Sequence, residues 1–302
     1  MIRPALLRPL ALLATVLLAG CWKPEAPVSP GQPRYVVGEA YQLRNLWFYP
    51  REDFALVEAG LGAVAADTRS GRRTANGEVH DPAALMGAHR TLQLPAVVVV
   101  TNLENGRSLA LRVNDRGPAD PGRVVEVSRR AAELLGFAPD RPTQLRVAVE
   151  GDASRALAAG LPAPEGSRPR VEAAPAGTVE RETLAPLPGT RQAERVREGR
   201  GPPVSAAAGP ASGSAVPLVL PERVAQGPAR PGQLFVQGSS FSARAAAQRQ
   251  ASRLGARVEP SGPASRPEWR VRLGPFATPA EADRALDGAL RAGVSEARII
   301  VD

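Results

Sequence analysis

Three residues suited to proton transfer lie within one short, turn-rich part of the chain: Glu78, His89 and Asp115. A carboxyl group can donate or accept a proton in general acid–base catalysis, and a histidine can orient that carboxylate or bind a ligand. Asp115 opens a D-R-G-P loop at the end of a predicted strand, and functional groups concentrate on such loops. The pattern therefore indicates an acid–base site with Asp115 as its leading candidate.

Each of these residues also has a purely structural interpretation. Asp115 can stabilise its own loop by accepting hydrogen bonds from backbone amides. His89 can be a buried histidine with satisfied hydrogen bonds, and Glu78, which follows an Asn-Gly turn, can be an exposed turn residue. We expect His80, the other of the chain's two histidines, at the surface.

The composition excludes several kinds of site. Cys21 is the only cysteine, which excludes disulfides, cysteine-rich metal sites and thiol catalysis, and two histidines make a zinc site unexpected. The net charge of +8 comes almost entirely from arginine, but a nucleic-acid surface also needs stacking aromatic side chains, and only 4% of residues are aromatic. We therefore expect no metal, no cofactor and no nucleic-acid partner.

Residues 1–20 have the pattern of a secretory signal, with two arginines before an apolar run that is too short to cross a bilayer. The run leads into L-A-G-C, which resembles a bacterial lipoprotein signal with Cys21 as the acylated first residue. Because Trp22 is not the aspartate typical of inner-membrane retention, we expect a palmitate-type lipid anchor in the outer membrane, facing the periplasm. We expect the Pro-rich residues 21–34 to be a tether.

A β-rich domain and a linker are predicted next. Residues 35–151 contain strand patterns such as Ala96–Asn102 and one short helix between an N-cap at Ser128 and a stop at Gly136, which is typical of a small closed β-barrel. Residues 152–230 are so rich in Pro, Ala, Gly and Arg that we expect a disordered linker.

Residues 231–302 form the second predicted domain. Their pattern predicts the order β-α-β-β-α-β, an α+β ferredoxin-like unit with both helices on one face of an antiparallel sheet. The first strand is expected at Leu234–Gln237, and the two helices are expected to be capped by Ser242 and by Thr278. The helix-free face of the sheet is then available to bind a ligand.

Four blocks in the first domain carry a family resemblance. They are R-T-A-N-G-E (73–78), A-H-R-T-L (88–92), V-T-N-L-E-N-G (100–106) and V-N-D-R-G-P (113–118). Together they resemble the rare lipoprotein A family. The resemblance implies a double-psi β-barrel and a lytic transglycosylase that acts on peptidoglycan, and it places the family's acidic and histidine positions on Glu78, His89 and Asp115.

The chemistry implied by this resemblance suits those residue types. A carboxylic acid must protonate the departing oxygen of the MurNAc–GlcNAc glycosidic bond. The sugar's own C6 hydroxyl can supply the nucleophile and leave a 1,6-anhydro end, so one well-tuned acid suffices. We expect Asp115 to be that acid, Glu78 to be a base or a like-charged neighbour, and His89 to orient a carboxylate or contact sugar. An ion pair between Asp115 and Arg116 would oppose the acid role.

The second domain resembles SPOR domains through F-V-Q-G-S-S-F (235–241) and R-V-R-L-G-P-F (270–276). Such domains bind glycan strands stripped of stem peptides, which implies denuded peptidoglycan as the partner and enrichment at the septum, with divisome proteins as further partners. The glycan-facing positions of the family fall on Gln237, Ser240, Phe241 and Arg270. Phe241 has an alternative role as a core residue.

One segment departs from the family pattern. Before the first block the family carries an aromatic pair, whereas this chain has Gly-Ala-Val-Ala-Ala at 62–66. Sugar faces stack well on aromatic rings, so this change bears directly on catalysis. Two functions are therefore kept: an endolytic lytic transglycosylase of the cell wall with a role in cell division, and a peptidoglycan-binding lipoprotein of the cell envelope that does not cut.

Overall fold

The computed structural model describes residues 31–162, 220–263 and 265–302. The predicted signal, Cys21 and most of the predicted tether and linker lie outside these residues. Across the described ranges, none of the helices combines the length and apolar character that a membrane span requires.

The regular structure of the described residues consists of three sheets and four α-helices. The strands are β1 (Tyr41–Leu43), β2 (Leu46–Phe48), β3 (Val57–Val64), β4 (Met86–Ala88), β5 (Ala96–Asn102), β6 (Arg107–Asp115), β7 (Arg123–Val127), β8 (Thr143–Val149), β9 (Val224–Gln226), β10 (Leu234–Phe241), β11 (Arg257–Ser261), β12 (Glu268–Phe276) and β13 (Arg298–Val301). The helices are α1 (Arg129–Leu135), α2 (Gly151–Ala159), α3 (Arg244–Leu254) and α4 (Pro279–Arg291).

Strands β3 to β8 close into a six-stranded barrel. Their order is β4-β7-β3-β8-β5-β6, and a β4–β6 pairing closes the ring. The β3–β7 and β4–β6 pairs are parallel and the other pairs are antiparallel. Alternate side chains fill the interior with aliphatic residues such as Val98, Leu111, Val125 and Leu145, as the period of two in a strand requires. The predicted closed barrel is confirmed.

Helix α1 has the predicted ends. The Ser128 hydroxyl accepts a hydrogen bond from the Ala131 amide, and Gly136 ends the helix in the left-handed conformation at φ 73°. The helix buries Ala131, Ala132 and Leu135 against the barrel core. Ser128, the N-cap residue of this helix, directly follows Val127, the last residue of β7.

The predicted limits of the tether and the linker are wrong at their inner ends. Helix α2 packs on β5, where the Ser154 hydroxyl both accepts from the Val97 amide and donates to the Val97 carbonyl. Strand β9 pairs with the first residues of β6, Arg107–Leu109, which lie beyond the part of β6 that pairs with β4. At the end of the predicted tether, the Gln32 amide donates to the Gly77 carbonyl. Composition averages over a segment, so it misses short pieces that gain hydrogen bonds from the barrel edge.

The C-terminal domain has the predicted β-α-β-β-α-β order, with its antiparallel sheet in the order β11-β12-β10-β13. The Thr278 hydroxyl caps α4 by accepting from the Glu281 amide, as predicted. The predicted cap at Ser242 is wrong, because Ala243 holds the N-cap position of α3 and provides no side-chain hydrogen bond. The first strand runs on to Phe241, four residues beyond its predicted end, so the helix begins later.

The barrel and the C-terminal domain pack against each other. Leu61 points out of β3 and is fully buried in the apolar cluster that contains Leu286 and Ile299. Arg123 at the start of β7 makes a bidentate ion pair with Asp283 of α4, at 2.7 and 3.0 Å. A Cβ atom on Gly122 would lie 2.7 Å from an Asp283 carboxylate oxygen, so a larger residue here would push the Asp283 side chain out of its present position. The contact uses α4 and the β13 edge of the C-terminal domain.

Candidate active site

A small pocket opens on the barrel where the ends of β3, β6 and β7 meet. Small and apolar residues form part of its wall: Ala65, Gly87, Ala88, Val127 and Ser128. The polar wall consists of Arg69, His80, Asp115 and Glu126. The pocket therefore brings together two carboxyl groups, one guanidinium and one imidazole.

Asp115 is the last residue of β6, and its two carboxylate oxygens have different surroundings. Oδ1 accepts hydrogen bonds from the backbone amides of Ala75, at 2.9 Å, and Arg116, at 2.8 Å. Oδ2 lies 3.9 Å from Nη2 of Arg69. The structural interpretation of Asp115 thus holds for one oxygen, while the other lies on the pocket side, next to Arg69.

Among the described residues, the side chain of Arg116 forms no ion pair with Asp115. Its guanidinium donates to the backbone carbonyls of Val37 and Leu92. Arg116 therefore ties the D-R-G-P loop to two neighbouring segments, and the cation that pairs with Asp115 is Arg69.

Glu126 on β7 is a second carboxyl in the pocket. Its Oε2 lies 2.7 Å from Nη1 of Arg69. Burial raises the pKa of Glu126, and the negative charge of Asp115 acts in the same direction, while Arg69 opposes both. Glu126 was not among the predicted site residues. The alternation of residues along β7 could have indicated its position, because Val125 and Val127 face the core and Glu126 lies on the opposite face of the strand.

His80 is also part of the pocket wall, so its predicted surface position is wrong. It is 7% exposed, and its Nε2 is buried without a hydrogen-bond partner. The chain doubles back before it: the Gly71 amide donates to the His80 carbonyl, and the His80 amide donates to the Arg72 carbonyl. Burial, aided by the charge of Arg69, lowers the pKa of His80 and favours a neutral ring.

Glu78 is buried beside the pocket and is not an exposed turn residue. Its Oε2 lies 2.6 Å from Arg112 Nη2 and accepts from the Asn114 side-chain amide at 2.9 Å, while Oε1 accepts from the Asn76 side-chain amide at 2.8 Å. These contacts hold the turn that supplies the Ala75 amide to Asp115. Glu78 is thereby connected to Asp115 through the backbone.

His89 is 3% exposed and also lies next to the backbone of Asp115. Its Nδ1 accepts from the Leu92 amide at 3.2 Å, so Nε2 carries the proton and bonds Oε1 of Glu58 at 2.5 Å. Burial acts to raise the pKa of Glu58, but the hydrogen bond from His89 together with the nearby charges of His89, Arg298 and Arg90 outweighs burial and lowers the pKa. The carboxylate beside the His89 ring is therefore that of Glu58, while the His89 backbone amide donates to the Asp115 carbonyl at 3.1 Å.

Aromatic side chains approach the D-R-G-P loop from the β1–β2 hairpin, which was not predicted as part of the site. The hydroxyl of Tyr41 in β1 donates to the Arg90 carbonyl, and the Arg90 guanidinium stacks on Phe48 of β2 and donates to the Pro118 carbonyl. On the same hairpin Trp47 is 58% exposed, and Tyr49 just after it is 67% exposed. The sequence feature that could have indicated this hairpin is the clustering of aromatic residues, since half of those in the chain fall within residues 35–54.

The four predicted glycan-binding positions separate into two groups. Gln237 and Arg270 lie on the helix-free face of the sheet, since their neighbours Val236 and Val271 face the helices, and Ser240 is exposed opposite Arg270. Phe241 instead packs on the helix side, in the cluster around α3. A register shift between Gln237 and Ser240 reverses the alternation. Phe241 is therefore a core residue of the domain.

Both parts of the chain match known families. Residues 58–149 match the family model described as lytic transglycolase, and residues 231–299 match the SPOR domain model. The endolytic peptidoglycan transglycosylase RlpA of Escherichia coli K12 is 32% identical over 265 residues, which cover 74% of this chain and 73% of the relative.

Two further relatives with the same name match over shorter lengths. The protein of Yersinia pestis is 34% identical over 172 residues, 47% of this chain and 46% of the relative. That of Rickettsia bellii is 40% identical over 106 residues, 34% of this chain and 47% of the relative. The chain thus spans about half the length of these two relatives and nearly three quarters of the one from Escherichia coli. With its closed barrel, its second domain and this extended match, the chain belongs to the RlpA (rare lipoprotein A) family.

Proposed function

We propose that the protein is an endolytic lytic transglycosylase that cleaves MurNAc–GlcNAc bonds in glycan strands free of stem peptides and leaves 1,6-anhydro ends. One observation carries the proposal: Asp115 is anchored through one oxygen by two backbone amides, while the other oxygen lies in a pocket beside Arg69 and a second carboxyl. Proton transfer to a glycosidic oxygen needs a carboxyl that is held in place and can be reached. The names of the relatives support the same activity.

In this reaction a carboxyl of the pocket protonates the glycosidic oxygen while the sugar's C6 hydroxyl attacks the anomeric carbon, so no water is consumed, and Asp115 is one of the groups that transfer a proton. Glu78 and His89 position Asp115 in this proposal. Glu78 holds the turn that supplies the Ala75 amide, and His89 donates its own amide to the Asp115 carbonyl.

We propose that the C-terminal domain brings the barrel to denuded glycan at the septum. The proposed contact residues are Gln237, Ser240 and Arg270. Phe241 packs in the apolar core on the helix side of the same sheet. The L-A-G-C sequence supports a lipid anchor at Cys21, which would hold the enzyme in the cell envelope near divisome proteins.

A second candidate function is glycan binding without cleavage. It is favoured by Ala65, which lines the pocket in the segment where the family carries an aromatic pair. A pocket wall of small side chains offers a sugar ring less stacking surface than an aromatic wall. The exposed Trp47 and Tyr49 of the hairpin favour the first candidate, because they supply aromatic surface from another element.

The test is product analysis with the full-length chain in mild detergent and glycan strands stripped of stem peptides by an amidase. The wild type and the control Asp140→Asn, a change at an exposed loop residue, should release fragments with 1,6-anhydro ends. Asp115→Asn should be slower by about a hundredfold or more, the usual contribution of a general acid or base. Binding of the strands by the wild type without release of fragments would establish the second candidate.

A further inference from the structure

The two carboxyl groups of the pocket are joined by one guanidinium. Arg69 Nη1 lies 2.7 Å from Glu126 Oε2, and Arg69 Nη2 lies 3.9 Å from Asp115 Oδ2. Both carboxyls and Arg69 are between 17 and 28% exposed, so the group is partly shielded from water but still open to a ligand. Two carboxyls on one small pocket can divide the proton donor and proton acceptor roles between them.

The surroundings of the two groups differ in a way that fits such a division. Asp115 accepts hydrogen bonds from two backbone amides, which hold its Oδ1 as an acceptor. Glu126 is about as exposed as Asp115, 17% against 19%, but it lies closer to Arg69, at 2.7 Å, and burial raises its pKa. The charge of Asp115 adds to this effect, so Glu126 keeps its proton to a higher pH than a carboxyl in water.

We propose that Glu126 is the proton donor of the reaction and Asp115 its proton acceptor; the proposal rests on the lytic transglycosylase function. Glu126 protonates the glycosidic oxygen, and the bond from that oxygen to the anomeric carbon breaks. The C6 hydroxyl oxygen bonds to the same carbon, and its proton passes to Asp115. One proton has then moved from Glu126 to Asp115, and exchange with solvent restores both groups without any other reactant.

Arg69 and His80 have defined parts in this arrangement. Arg69 contacts both carboxyls. In the proposed step Asp115 is ionised before the proton transfer and Glu126 after it, so Arg69 has a charged partner at both stages. Neutral His80 presents a buried Nε2 that lacks a partner, and a sugar hydroxyl or amide in the pocket can supply one. We assign both as positioning residues.

A leaving-group comparison tests the roles of the two carboxyls. The substrates are a denuded glycan strand and a short muramyl oligomer whose scissile bond carries a 4-nitrophenyl group, which departs without protonation. We expect Glu126→Gln to lose about a hundredfold or more in kcat on the strand, with KM unchanged, and to keep most of its activity on the nitrophenyl substrate. Asp115→Asn should lose activity on both.

Matched variants and a pH profile complete the test. Glu126→Asp should retain part of the activity, and Glu133→Gln, a change of an exposed glutamate on α1, should behave as the wild type. The wild-type rate should fall as pH rises through the pKa of Glu126, and Glu126→Gln should lack this alkaline limb. Equal losses on both substrates, or full strand activity in Glu126→Gln, would overturn the assignment.

If the wild type releases no anhydro products, the proposed function itself fails. Carbon-13 NMR titration of Glu126 still reports its pKa in that case, and an ordinary value would contradict the assignment independently.

Discussion

Asp115 Oδ1 accepts a hydrogen bond from the Ala75 amide at 2.9 Å, across 40 residues of sequence. This contact links the end of β6 to the turn that Glu78 holds from its other side. The position of the proposed catalytic carboxyl therefore depends on a residue that does not line the pocket. The same arrangement makes Glu78 important for activity without direct contact with sugar.

Replacing Glu78 tests this dependence. Glu78→Gln removes the charge partner of Arg112 and weakens the hydrogen bonds to two asparagines, so we expect a loss of about 1–3 kcal/mol in the free energy of unfolding. Activity should fall together with stability, since the turn loosens. Thermal unfolding and product analysis of the same sample provide the check. Unchanged stability with lost activity would show instead that Glu78 acts on the substrate.

The Glu58–His89 pair predicts a pH-dependent stability. The lowered pKa of Glu58 means that its ionised form stabilises the fold, so this stability is present above the pKa of an unfolded glutamate and is lost as pH falls through the folded pKa. Glu58→Gln should be less stable than the wild type at neutral pH, and the difference should shrink in acid. Urea unfolding across this range measures it, with Glu133→Gln as the control. A difference that is constant with pH would contradict the assignment.

The contact between the two domains should depend on Leu61. Leu61→Ala removes a fully buried side chain from the cluster that includes Ile299, a change that typically costs about 2–5 kcal/mol. We expect faster amide exchange in α4 and β13 and a larger radius of gyration by small-angle scattering. Val57→Ala, at an exposed position on the same strand, is the matched control. A compact variant with unchanged exchange would show that Leu61 does not hold the domains together.

The aromatic hairpin should contribute to glycan affinity. Trp47→Ala should raise KM on denuded strands by about 2- to 10-fold with kcat little changed, the range expected for the loss of one stacking contact. Val224→Ala, another exposed apolar residue, should have no effect. Steady-state kinetics on strands of one length distinguish the two results. A fall in kcat at constant KM would place Trp47 in a different role.

The sequence predicted those parts of the fold that local pattern determines. Strand Ala96–Asn102 was predicted with the limits that the structure shows, because its β-branched run fits a buried strand, and α1 was predicted because it has both a Ser cap and a Gly stop. Strand β9 was missed because its hydrogen bonds come from β6, more than a hundred residues away in the chain. The residues of a short segment do not indicate which distant strand it pairs with.

The site was predicted in part for a similar reason. Asp115 stands in a distinctive loop sequence, whereas Glu126 is a single carboxylate within a strand of valines, and its meaning comes from the side chains opposite. Phe241 was misplaced because a register shift in the strand reversed its face, and such shifts leave no mark in the alternation of residue types. His80 was misplaced because the chain folds back on itself just before it.

The most direct test of the central claim is the mass of the products that the full-length chain releases from denuded strands in isotopically labelled water. A lytic transglycosylase uses the sugar's own hydroxyl, so we predict 1,6-anhydro ends without label, and loss of these products in Asp115→Asn. Labelled reducing ends would show hydrolysis instead, and no fragments at all would show that the barrel binds glycan without cutting it.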